Sequence, residues 1–130
     1  MRSVDTNILV RWVARDDEEQ ARLADAIMEQ PSLISATVLV EVAWVLGGSR
    51  IGLNRPTLVQ VLSDIVSTST VSVSDENGIR WAIDRYAAGA DFADMVHLVA
   101  SRGSDSFVTF DQRLAADAGA LTPIIVETLG

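Results

Sequence analysis

Cysteine and lysine are both absent from these 130 residues, and there is only one histidine. Without cysteine there is no disulfide, no zinc-thiolate site and no thiol nucleophile. One histidine cannot build a multi-histidine zinc site. Without lysine, Walker-type phosphate binding and Schiff-base chemistry are excluded. No apolar run approaches the roughly 18 residues of a membrane span. The opening Met1-Arg2-Ser3-Val4-Asp5 lacks the long apolar segment of a signal peptide, so the expected location is cytoplasmic. No repeat, low-complexity tract or Pro/Gly-rich linker divides residues 1–130, which read as a single domain.

Apolar residues make up 48% and charged residues 22%, enough for a real core. All ten basic residues are arginines, against eighteen acidic ones, for a formal charge of −8. Chemistry must therefore rest on carboxylates, hydroxyls, amides and guanidinium groups.

Short β-type pieces alternate with longer helical ones. Ser3-Val4-Asp5 reads as a strand, and Thr6 as the N-cap of a helix from Asn7 to about Ala14. Asp16 to Glu19 opens a second helix with Leu23 and Ile27 inward, ended by Pro31. Ser32-Leu33-Ile34 is the next strand, and Ser35 caps a strongly apolar helix over 36–46, stopped by Gly47-Gly48. Leu58, Val61, Leu62 and Ile65 mark a fourth helix beginning near Pro56. After a strand over 70–73, a helix places Ile79, Ile83 and Tyr86 on one side, and Gly89 closes it. A sixth helix spans about 91–102. Phe107 to Phe110 is a strand, a short helix starts at Asp111, and Pro123 to Val126 is the last strand. Such alternation predicts a parallel sheet with helices on both faces and ligands beyond the strands' C-terminal ends.

Carboxylates fall at those ends. Asp5 and Asp111 each stand at a strand-to-helix turn, where a plain capping role is the ordinary alternative. Glu41 lies in Val38-Leu39-Val40-Glu41-Val42-Ala43-Trp44, a stretch apolar on nearly every face, which predicts a half-buried carboxylate, a rim position or an arginine partner. Asp94 follows Asp91 by three residues; Asp91 reads as a cap and Asp94 as a site candidate beside the apolar Val96, Leu98 and Val99. Four acids meeting in one crevice would repel by about 4 kcal/mol per close pair at an effective dielectric of 20. Several such pairs rival a domain's whole margin of about 5–15 kcal/mol. They must be protonated, dispersed, paired with arginine or bound to a cation, and oxygen-only ligation suits Mg²⁺ or Mn²⁺. A metal of this kind suits phosphodiester hydrolysis. Thr6, Asn7 and Thr109 lie beside the acids and could orient a ligand carboxylate or a phosphate. The lone His97 reads as packing or surface, and Trp12, Trp44 and Trp81 as core or dimer packing rather than base stacking.

These motifs resemble the PIN-domain ribonucleases and, among them, the VapC-like toxins of bacterial toxin–antitoxin pairs. Val4-Asp5-Thr6-Asn7-Ile8-Leu9 looks like the family's opening strand with its aspartate, and Glu41 to Leu46 like its acidic helix. Asp91 to Ala100 resembles the third motif with Asp94 as its acid. Thr109-Phe110-Asp111-Gln112-Arg113-Leu114 resembles the fourth, with Asp111 as acid and Thr109 as hydroxyl. The resemblance covers nearly the whole chain and keeps the motif order. It implies an α/β fold, a three-layer α/β/α sandwich on a mainly parallel five-stranded sheet. It also implies a Mg²⁺- or Mn²⁺-dependent endoribonuclease with Asp5, Glu41, Asp94 and Asp111 as catalytic metal ligands. A homodimer is implied too, as is a cognate antitoxin that often places an arginine in the acidic pocket.

The acidic balance sits awkwardly with an RNA substrate, since phosphates call for basic surface. Arg11, Arg15, Arg50, Arg80 and Arg113 are the candidate local cations. A receiver-like phosphate acceptor would need a lysine, and a haloacid-dehalogenase-type phosphatase would need an aspartate where Asn7 stands. A non-catalytic binding module of the same fold, working through a protein partner, is the remaining alternative.

Overall fold

Asp5 sets where the first helix begins. Its carboxylate Oδ1 accepts the Thr6 N–H at 2.6 Å, so Asp5, and not Thr6, is the N-cap of α1 (Thr6–Ala14). Thr6 becomes the first helical residue. The computed structural model describes residues 1–130, which form two compact units, Met1–Glu76 and Asn77–Gly130.

In the first unit, β1 (Arg2–Ser3), β2 (Ser32–Ile34) and β3 (Val71–Val73) form a parallel sheet in the order β1-β2-β3. Ser3 is registered with Leu33, and Leu33 with Ser72. The crossovers are helical: α1 and α2 (Glu18–Met28) between β1 and β2, α3 (Ala36–Gly47) and α4 (Arg55–Ser67) between β2 and β3. Ser35 caps α3 by accepting the Val38 N–H, as its hydroxyl predicts, and Asn54 caps α4 by accepting from Thr57, with Pro56 in the first turn. The core is Leu9, Val10, Ile34, Leu39, Val42, Leu46, Leu62 and Ile65, all essentially inaccessible. On α2 the expectation fails. Ala21, Ala24 and Met28 are buried, while Leu23 is 51% exposed and Ile27 only half-buried. Small residues at i and i+3 let α2 lie close on α1, which turns the larger side chains outward.

The second unit contains α5 (Glu76–Ala87, which opens at the boundary), α6 (Phe92–Ala100), β4 (Phe107–Thr109), α7 (Leu114–Ala118) and β5 (Val126–Thr128). β4 and β5 pair in parallel, Phe107 with Val126 and Thr109 with Thr128. The five expected strands and their parallel sense are present, arranged as a three-stranded and a two-stranded sheet. The last strand begins at Val126, not Pro123. Proline has no N–H to give a ladder, and the Thr122 hydroxyl occupies the Ile124 carbonyl at 2.7 Å, so pairing starts only where the Phe107 N–H reaches the Ile125 carbonyl. The short helix begins at Leu114 because Asp111 is taken up by a turn. Arg85 Nε donates to the Asp117 carbonyl at 2.7 Å, and its guanidinium lies over Gly119, tying the end of α7 to α5.

Candidate active site

Parallel pairing fixes the geometry of the first unit's acidic edge. Asp5 follows β1 by two residues and Ser35 follows Leu33 by two, on neighbouring strands in register. The N-termini of α1 and α3 therefore lie at the same sheet edge, where crossover folds bind ligands. Asp5 is exposed, with one oxygen engaged by its cap bond. Asn7 is exposed as well. Thr6 is 4% exposed, and its Oγ1 is buried with no hydrogen-bond partner. A hydroxyl left in that state costs about 1–3 kcal/mol.

Glu41 corrects the expectation of a half-buried carboxylate. Leu39, Val42, Ala43 and Leu46 form the buried stripe of α3, which leaves Thr37, Glu41 and Trp44 on the opposite, exposed stripe at i, i+4 and i+7. Trp44 is 79% exposed, so it does not pack in the core.

The second unit repeats the strand-end motif. Asp111 follows β4 by two residues; its N–H donates to the Thr109 hydroxyl at 3.0 Å, and its Oδ1 accepts the Arg113 N–H at 2.9 Å. Gln112 Nε2 bridges to the Leu129 carbonyl at 3.1 Å and holds the turn against the end of the chain. Asp91 caps α6 by accepting the Asp94 N–H at 2.9 Å, as expected of it. Asp94 itself is half-buried, and its carboxyl is held above the ordinary aspartate range. Burial is the largest cause, followed by the negative charges of Asp91 and Asp111; His97 acts the other way, and Asp117 adds the smallest push. His97 lies on the exposed side of α6.

Asp117 was not singled out in the sequence. Within Leu114-Ala115-Ala116-Asp117 it looks like any solvated helix acid, and its charge is the weakest of those that reach Asp94. None of the four candidate acids has an arginine partner. Elsewhere, Arg11 and Arg50 meet Asp16, Arg15 meets Asp25, and Arg22 meets Glu19. Within each unit, no group of three or more Asp, Glu, His or Cys side chains stands in ligand geometry. The donors fit a hard divalent cation in kind: all are oxygens, the charge around Asp94 is uncompensated, and the Thr6 hydroxyl lacks a partner.

Residues 3–119 match the PIN domain family, a span that takes in all four motifs. The chain belongs to that family, whose members are generally nucleases. No curated protein and no solved structure gives a significant match.

Proposed function

We propose that this PIN-domain protein is a metal-dependent endoribonuclease and acts as the toxin of a toxin–antitoxin pair, held inactive by its antitoxin. The observation that carries the reading is Asp94. A half-buried carboxylate that feels the negative charges of Asp91 and Asp111, with no guanidinium to neutralise it, is costly unless a cation is the intended companion. The ligand residues of this reading are Asp5, Glu41, Asp94 and Asp111, with Mg²⁺ as the ion and Mn²⁺ as a substitute. Bound there, such an ion supplies water acidification and stabilisation of charge on a phosphoryl oxygen. The chain's own residues supply position. Cap and turn bonds hold one oxygen of Asp5 and one of Asp111 and so fix their rotamers. Thr6, Asn7 and Thr109 offer hydroxyl and amide groups for orienting a phosphate or its attacking water.

The antitoxin and homodimer parts of the reading follow from the VapC-like motif order, and the acidic balance suits a partner that brings arginine. The test is cleavage of a fluorogenic RNA with Mg²⁺ or Mn²⁺ by the parent protein and by Asp5→Asn, Glu41→Gln, Asp94→Asn and Asp111→Asn. Loss on the order of 100-fold or more is expected for Asp94→Asn. Cleavage unchanged in all four variants would rule out these ligands. No turnover of any RNA would favour a binding module of the same fold.

A further inference from the structure

Eight large apolar side chains are exposed, and four of them, Val108, Phe110, Ile125 and Leu129, belong to β4, β5 and the residues that flank these strands. The register gathers them. Val108 is paired with Glu127, so the two side chains leave the sheet on the same face. The Ser106 hydroxyl donates to Glu127 Oε2 at 3.1 Å and therefore stands there too. Ile125 and Leu129 lie two residues either side of Glu127, and Phe110 two beyond Val108, so all three share that parity. Phe107, Thr109 and Val126 have the opposite parity and are half-buried. The crossover helix α7 packs against β5. Val108 is nevertheless 53% exposed and Ile125 70%, so no layer lies over the outer face. For a parallel pair this is unusual. Helical crossovers normally cover parallel strands on both sides, and apolar outer residues belong under such a layer.

We infer that the outer face of β4 and β5 docks an amphipathic helix of a partner protein, one that carries a lysine or arginine within its apolar stripe. The face includes none of the four candidate acids, and the inference does not rest on the ribonuclease reading. A helix is the element that completes a parallel sheet. The cation follows from Glu127. This carboxylate stands between Ile125 and Leu129 and opposite Val108; its one bond comes from Ser106, and no guanidinium reaches it. A purely apolar cover would strip its water and return nothing, whereas a basic side chain replaces that water with an ion pair. A second copy is the poorer occupant. A two-fold axis through this face would bring Glu127 toward its own counterpart and join two chains of charge −8. Nucleic acid fits no better, since none of the six residues of the face is basic and its phosphates would meet Glu127.

The experiment titrates the full chain into three labelled helical peptides of about 18 residues and reads fluorescence anisotropy. Each peptide carries leucine at helical spacing on one face, and they differ only at the centre of that stripe, which holds Arg, Gln or Glu. The parent should bind the Arg peptide about 10-fold more tightly than the Gln peptide, and the Glu peptide most weakly. Glu127→Gln should lower the Arg peptide to the level of the Gln peptide, and Glu127→Arg should put the Glu peptide ahead. Val108→Thr and Ile125→Thr keep the β-branched shape, so melting temperature should hold while binding of all three peptides weakens by about 3-fold or more. Equal affinity for the three peptides, or no binding of the Arg peptide at about millimolar concentration, would overturn the inference. So would a parent dimer in sedimentation that the two threonine variants dissociate, because the face would then belong to a second copy.

Discussion

Two regions of the molecule treat their acids in opposite ways: the α1–α2 face and the surroundings of Asp94. In residues 1–76, Asp16, Asp25 and Glu19 each meet an arginine on the α1–α2 face, at 3.1, 2.8 and 2.6 Å. Around Asp94, by contrast, burial and the negative charges of Asp91 and Asp111 raise the carboxyl's proton affinity, and no guanidinium offsets them. Arg113 lies two residues from Asp111 but meets its carboxylate only through the backbone N–H. Arg85, the nearest in sequence to the boundary helix's end, spends its Nε on the Asp117 carbonyl instead of a carboxylate. Paired acids are structural and screened by solvent; unpaired, half-buried ones store repulsion that a ligand can relieve. The contrast separates ordinary surface charge from candidate chemistry.

That contrast can be broken most sharply with a divalent cation. Millimolar Mg²⁺ or Mn²⁺ should raise the melting temperature of the parent protein, since an ion at about 100 times its Kd adds about 2.7 kcal/mol. Asp94→Asn should abolish the shift and Asp16→Asn should keep it; scanning calorimetry reads both. Equal shifts in the two variants would erase the distinction between the two regions. The next largest effect concerns the frame that holds Asp117. Gly119 has φ +78°, and an added Cβ would lie 3.3 Å from the Arg85 guanidinium carbon, so Gly119→Ala should cost about 1–2 kcal/mol in urea unfolding.

A smaller effect follows from the proton affinity of Asp94. Its folded carboxyl binds a proton more tightly than the unfolded one, so stability falls as pH rises from the ordinary aspartate range through the raised folded value. Without added metal, Asp94→Asn should therefore melt higher than the parent at neutral pH, and the gap should close in acid. A variant that melts lower at neutral pH would mean that the repulsion is absent. Smallest of all is Arg15→Ala. The Arg15 guanidinium holds the Asp25 carboxyl below its usual range through a hydrogen bond, but both side chains are exposed. That pair's contribution is present at neutral pH and lost as pH falls through the depressed value. The melting curve should hardly move, and less so in high salt. A large loss would show that the first unit's pairs are more than surface charge.

Much of the fold was legible because local signals are strong here. Ser35 followed by an apolar run, Pro56 at a helix start and the Leu58-Leu62-Ile65 spacing all report elements whose caps and faces are set within a few residues. The errors came where a choice depended on neighbours. Leu23 looked inward by hydrophobicity, yet the close approach of α2 to α1 selects the alanines. Glu41 and Trp44 looked enclosed within an apolar stretch, but that stretch has one core-facing stripe and an outer one, and the helix rotation puts both residues outside. At the candidate site, the cap of Asp91 could be read from spacing, whereas the turn that takes up Asp111 and the charges that reach Asp94 could not.

By itself the sequence determined the chemical vocabulary. Oxygen and guanidinium groups, no thiol or lysine amine, four acidic motifs in PIN order and strands alternating with helices are all properties of residue type and spacing. Only tertiary structure decided which acids find arginines, which aromatic rings stay in water and how firmly Asp94 holds its proton. Those outcomes depend on separations of a few ångströms and on exclusion of solvent, and both are settled when helices dock rather than when they form.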